Sequence, residues 1–549
     1  MPVPLPPAST DPLDWTRLYL VMFLNQGGHK IVRYLPSICL SALVMSPLWR
    51  ANFHPVDDHE FTAMLSLHGG STAGRLWSRI FEMSPAVNYP NSIHWRPAVW
   101  VVRGVESTVF GDQVWAYFVW RTFLLTTFAM LGVSIVTKII DCAHRTRDDA
   151  TAATFWIPVL SGLLLVSIPG LHDVFGRLLP GEMYTLIGLL VWLLSWLQLY
   201  RIRVSGGTFD PFIAVSTSIG LILLVTGKED AAFLWPTVIL ASGPEIIFWC
   251  RKRPLIFGAG LIFSGVLWML SMIQLINTLV LQDSNLPYHP ISTSGSGITW
   301  SVLARMDKML VILILGSVIL LIFMRRRLEG VLLRLYCLLL TLATLELIYV
   351  STVPVAAPRY TGMITAALIL ILVLTFINLR SEVTSRPVYF IFVKICVILA
   401  FSLGGLHQYK QNHLYSEISR TWNVEIGAIF EAARDSEIRQ IRLVVDPPTE
   451  NSIGRWEKSV SFAKFGRLES SGRLAFFLEL MDSDSPNIQL DAANDLRRYS
   501  KFGLRDRAGV IFSPHSEYED GKVLCVLYSD SGREFRLSSE CSDTVRLSL

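Results

Sequence analysis

Charged side chains are scarce: Lys, Arg, Asp and Glu make up 17% of the 549 residues, where a soluble domain carries about a quarter. With 52% hydrophobic residues and a mean hydropathy of +0.45, this excludes a disordered chain, a fibrous chain and a single soluble globule. Cysteine is also rare, and seven in the whole chain exclude a disulfide-dense scaffold. There is no basic tail and the net charge is only +4, so nucleic acid is not an expected partner. Neither a Ser/His/Asp set nor zinc-ligand spacing occurs.

What is present is long apolar runs, unevenly distributed. Residues 1–405 hold 29 Lys/Arg against 22 Asp/Glu, and 406–549 hold 19 against 22. A membrane helix needs about 20 mostly apolar residues. Eleven segments qualify: 31–49, 114–137, 154–171, 182–200, 210–227, 231–248, 255–281, 308–324, 331–353, 360–378 and 388–405. Leu18–Leu24 is too short to span and fits the interface. No cleavable signal peptide is expected. The expected fold class is therefore mainly α: a polytopic transmembrane helical bundle over 1–405, followed by a small extracytoplasmic domain over 406–549.

Short loops orient such a chain, because Lys and Arg accumulate on the cytoplasmic side. Alternate loops are basic: Arg145 and Arg147; Arg201 and Arg203; Arg251, Lys252 and Arg253; Arg325, Arg326 and Arg327; Arg380 and Arg386. The N-terminus is then cytoplasmic, and an odd number of spans leaves the C-terminal domain outside. This parity gathers four polar clusters on the outer face: Asp57-Asp58-His59-Glu60, the segment His172–Glu182, Lys228-Glu229-Asp230, and Pro358-Arg359-Tyr360.

The first outer loop, 50–113, is organised. Asp57 and Asp58 follow Pro55 and suit a helix start. Phe61, Met64, Leu65 and Leu67 then fall at helical spacing before Gly69-Gly70. A second amphipathic run covers 72–83, with Leu76, Trp77, Ile80 and Phe81 on one face. Both read as helices lying on the bilayer surface. Asp57 lies about eight residues past the first span, a tether that holds its carboxylate near lipid headgroups.

This pattern resembles the GT-C glycosyltransferases, polytopic enzymes that take a sugar from a polyprenyl-phosphate carrier outside the cytoplasm. The matching residues are Asp57-Asp58-His59-Glu60, Arg96-Pro97, Lys228-Glu229 and Arg359-Tyr360, together with the run from Arg96 through Phe110-Gly111. The resemblance covers about 1–405 and departs from the usual pattern at His59. It implies transfer of a hexosyl or pentosyl unit from a polyprenyl-phosphate-linked donor to a hydroxyl on a glycan, lipid or protein acceptor.

Such a reaction needs a base for the acceptor hydroxyl, cations for the phosphate and a scaffold that aligns both substrates. Asp57 or Asp58 is the expected base, with solvated helix caps as the alternative reading. The same pair offers oxygen ligands for a divalent cation such as Mg or Mn, so the metal requirement stays open and no other cofactor is implied. Lys228, Arg359 and Arg96 are expected at the donor phosphate, with Tyr360 and Glu229 beside them. A snorkelling lysine, an interface anchor and a structural turn are the respective alternatives. Glu60, Glu182, Arg121 and Glu346 are candidates for the cavity wall. Arg121 and Glu346 lie at matching depth in their spans, so an ion pair between them is a further option.

Other signals are bland. The sixteen tryptophans mark interfaces and packing. Gly258–Gly260 reads as close helix packing, and His172, His289 and His407 as surface histidines. In the C-terminal region a helix is expected at 413–435, strands at 438–445, 474–480, 508–512 and 523–528, and a helix at 488–500, giving a small α/β domain. Cys525 and Cys541 can bridge if that domain is outside. The competing functions are a transporter or flippase of a lipid-linked substrate, and a scaffold acting through 406–549. No internal repeat favours the transporter. The expected location is a bacterial inner membrane.

Overall fold

The computed structural model describes residues 32–52, 72–81, 96–111, 113–143, 152–168, 170–178, 181–228, 233–281, 308–325, 328, 330–352, 362–379, 404–433, 438–445, 487–489, 522–528 and 535–538. They are mainly helical. In chain order the helices are α1 (Leu35–Met45), α2 (Thr72–Phe81), α3 (Pro97–Phe110), α4 (Val114–Ala143), α5 (Ala152–Val166), α6 (Leu171–Phe175), α7 (Glu182–Ser205), α8 (Pro211–Gly227), α9 (Leu234–Lys252), α10 (Pro254–Leu281), α11 (Lys308–Met324), α12 (Val331–Thr352), α13 (Gly362–Leu379) and α14 (Leu406–Ala433).

Four of these are long and apolar enough to cross a membrane: Val114–Cys142, Glu182–Ser205, Pro254–Ile273 and Val331–Ile348. Four more apolar stretches are shorter, at Phe155–Val166, Pro211–Gly227, Leu310–Met324 and Gly362–Thr375. The chain is thus a membrane protein whose helices have the bilayer as a partner. Several expected spans differ in length. The first is a helix ending at Met45, where Pro47 helps turn the chain into a 3-10 segment, Ser46–Arg50. The second runs on to Ala143. The third ends at Val166, and Leu171–Phe175 is a separate turn. The segment 388–405 lies outside the described residues except for its last two.

Two compact units emerge. One comprises Met1–Val44, Thr122–Leu171 and Glu182–Gln408; the other Met45–Arg121, His172–Gly181 and Tyr409–Leu549. At the heart of the first is α7, with 78% of its apolar window buried, against 17% for α10. A helix apolar on every side belongs inside a bundle, whereas α10 shows Leu255, Ile262 and Phe263 to the surroundings, as a lipid-facing helix does. Helix α8 starts at Pro211, with Asp210 Oδ1 accepting from the Phe212 amide at 2.9 Å.

Helices α7 and α8 touch at backbone distance. A Cβ on Gly188 would sit 2.7 Å from the Leu224 nitrogen, and one on Gly220 would sit 2.8 Å from the Trp192 nitrogen. Only residues without side chains permit this approach. Of the pair Gly258 and Gly260, only the second serves close packing: it abuts Ser218, while nothing lies near Gly258.

In the second unit α2 packs on α3, and α3 ends at Gly111, whose φ of 55° suits glycine. The expected surface helix at 72–83 is α2; its partner at 58–68 lies outside the described residues. Four strands, β1 (Ile438–Val445), β2 (Asn487–Gln489), β3 (Lys522–Tyr528) and β4 (Phe535–Ser538), form one sheet in the order β2-β1-β3-β4. β1 is parallel to β2 and β3, and β4 is antiparallel to β3. β1 and β3 fall where strands are expected. The expected strands at 474–480 and 508–512 and Cys541 lie outside the described residues, and 487–489, at the edge of the expected helix 488–500, is β2.

Candidate functional site

Glu182 is the first residue of α7 and Lys228 follows the last residue of α8. Because the two helices are antiparallel neighbours, the ends meet. Lys228 Nζ lies 3.8 Å from Glu182 Oε1, and both side chains are almost fully buried. Each charge sits at the helix end whose dipole favours it, an acid at an N-terminus and a cation at a C-terminus. Opposite charges in one buried place offset part of the desolvation that either would face alone. The sequence offers Lys228 a neighbour in Glu229, which lies outside the described residues; among the described residues the carboxylate beside it is Glu182.

In the second unit, Arg121 on α4 is completely buried and clamps Glu106 on α3. Its Nη1 donates to Oε1 at 3.1 Å and its Nη2 to Oε2 at 2.9 Å. Nη2 also donates to the Leu178 carbonyl at 2.9 Å, and Trp120 Nε1 donates to Glu106 Oε1 at 2.8 Å. The fork-to-fork geometry is the strong form of this interaction. The same buried face of α3 carries Arg103, whose guanidinium carbon lies 4.9 Å from the Trp100 ring centroid. Arg121 thus grips Glu106, fifteen residues upstream, in two-pronged fashion. Glu346 is buried on α12.

A third cluster lies toward the other end of α7, a 24-residue helix about 36 Å long. Glu245 on α9, 1% exposed, accepts from Arg334 at 2.7 and 2.9 Å, from Trp196 Nε1 at 2.9 Å and from Arg203 at 3.2 Å. Arg334 Nη1 also donates to the Ala241 carbonyl at 3.0 Å. The C-terminal ends of α7 and α9 therefore share one end of the bundle with the start of α12, opposite the Glu182–Lys228 end.

Of the remaining sequence candidates, Arg96 is the residue before α3, with Pro97 at its first position. Asp57, Asp58, Glu60, Glu229, Arg359 and Tyr360 lie outside the described residues. His172, expected as an isolated surface residue, lies 3.5 Å from Asp173, which also pairs with Arg177 at 3.1 Å. No group of three or more metal-ligating side chains occurs among the described residues. Sequence reasoning missed Glu106, Arg103, Glu245 and Arg334. The usable signal was a charge inside an apolar window, as at Glu245 and Arg334.

No protein-family model matches the chain, and no curated protein matches it either.

Proposed function

We propose that the chain is a membrane glycosyltransferase of the GT-C type. In this reading eleven spans leave the N-terminus in the cytoplasm of a bacterial cell and place 406–549 outside the inner membrane as a small α/β domain. A sugar moves from a polyprenyl-phosphate carrier to an extracytoplasmic hydroxyl. Asp57 or Asp58 removes the hydroxyl proton. Lys228, Arg359 and Arg96 balance the charge that grows on the departing phosphate, with Tyr360 and Glu229 beside them. The observation that supports this best is the buried Lys228–Glu182 pair. A cation already held out of bulk water at a helix end meets a lipid phosphate in a setting of low screening, where its attraction is strongest.

The test uses the full chain in liposomes with a panel of polyprenyl-phosphate hexoses and pentoses and an envelope extract as acceptor, with free polyprenyl phosphate as the readout. One donor is expected to be consumed. Asp57→Asn or Asp58→Asn should slow its consumption by about 100-fold or more, and Lys228→Ala should raise the donor KM. Full-rate consumption by both Asp variants removes the base assignment. Appearance of intact donor in the opposite leaflet, with no phosphate released, makes the chain a flippase instead. Loss of activity in a chelator, restored by Mg or Mn, would establish the need for a divalent cation, and a higher Mg or Mn requirement in Asp57→Asn or Asp58→Asn would assign it to that pair.

A further inference from the structure

The bundle end opposite Lys228 gathers cations on aromatic rings. Arg203, in the last turn of α7, and Lys252, in the last turn of α9, share one ring. The guanidinium carbon lies 5.3 Å and the ammonium 4.8 Å from the Phe248 centroid. Next to Lys252, Arg253 lies 5.8 Å from the centroid of Phe209. Arg203 touches one carboxylate, Glu245, and that group already takes three hydrogen bonds from Arg334 and Trp196. Among the described residues no carboxylate pairs with Lys252 or Arg253. Like charges drawn to one ring repel each other, and an anion bridging them would relieve the repulsion. Beside this rim the lipid-facing surface continues with exposed Ile247 on α9 and Leu255 on α10.

We propose that this rim binds the headgroup phosphate of an anionic phospholipid, with Arg203 and Lys252 as its cations and Phe248 fixing both. The exposed apolar residues beside it would take the acyl chains, which a free anion lacks. Basic clusters at the ends of membrane helices attract anionic lipids by this mechanism. Nothing in the proposal depends on sugar transfer.

Native mass spectrometry of the detergent-solubilised full chain provides the test, with phosphatidylglycerol and phosphatidylcholine as probes. The wild-type chain should retain phosphatidylglycerol preferentially, and excess inorganic phosphate should not displace it. Lys252→Gln, which disturbs no ion pair among the described residues, should weaken retention about 5-fold, and adding Arg203→Gln should bring the loss to about 30-fold. Arg203→Lys with Lys252→Arg, which keeps both charges, should retain the lipid. Equal retention of the two lipids overturns the proposal. So does unchanged retention in Lys252→Gln, or displacement by inorganic phosphate, which would make the ligand a soluble anion.

Discussion

Glu245 shows what a single buried carboxylate does for the bundle. It is 1% exposed and satisfies Arg334, Arg203 and Trp196 together. Removing it leaves cations facing an apolar interior, which costs about 3 kcal/mol. Glu245→Ala should therefore lower the thermal unfolding midpoint in detergent clearly. Glu245→Leu combined with Arg334→Leu should recover most of that loss, because the cation that then loses its partner, Arg203, is partly exposed and can be solvated. The Arg121–Glu106 clamp should behave alike: Glu106→Ala destabilises strongly, and Glu106→Leu with Arg121→Leu less so. A double cycle on that pair should give a coupling of roughly 2 kcal/mol or more. None of these partners was legible from the sequence. Arg121 and Glu106 are joined through the turn at Gly111, which folds α3 back against the start of α4. Glu245 and Arg334 are 89 residues apart, a separation that no local pattern reports.

Helices themselves were more readable than their contacts. Apolar runs of span length became α4, α7, α10 and α12, because such runs satisfy their backbone internally and can turn every face to protein or to lipid. The closeness of α7 and α8 was not readable, since a lone glycine in a membrane helix is common and only its partner shows its purpose. Gly220→Ala should force the pair apart and lose about 2 kcal/mol. Gly258→Ala meets open space and should be neutral to slightly stabilising. Thermal unfolding of the two variants side by side decides the matter. Helix α14 carries another lesson. The polar sequence after residue 405 suggested a soluble segment with a helix only from 413, yet the helix begins at Leu406 and buries Gln408, Asn412, Ser416 and Ser419. Gln408 Nε2 donates to the Val166 and Ile168 carbonyls at 2.6 and 2.7 Å, at and just past the end of α5, where helix carbonyls lack their intrahelical partners. Polar residues that complete another helix look like surface residues when only their own sequence is considered.

For the molecule as a whole, the helix ends carry the orientation argument. Glu182 meets Lys228 at one end of α7, while Arg203 meets Glu245 at the other. In a cysteine-free background, Gly207→Cys and Asp230→Cys should be labelled by impermeant thiol reagents from opposite sides of the membrane, with Asp230→Cys reacting outside. Labelling of both from one side would remove the alternating arrangement and the proposed outer site with it.

The sheet near the C-terminus has an implication for how the protein is made. β1, with the sequence IRQIRLVV, lies between β2 and β3, both of which follow it in the chain. During synthesis this strand waits with uncovered amide edges until Lys522–Tyr528 leave the ribosome, and such edges recruit other chains. A nonsense variant ending before Lys522 keeps every helix from α1 to α14 and still deprives β1 of its longest neighbour. Its fate should be decided by quality-control proteases, before any chemistry at the opposite end of the chain is attempted.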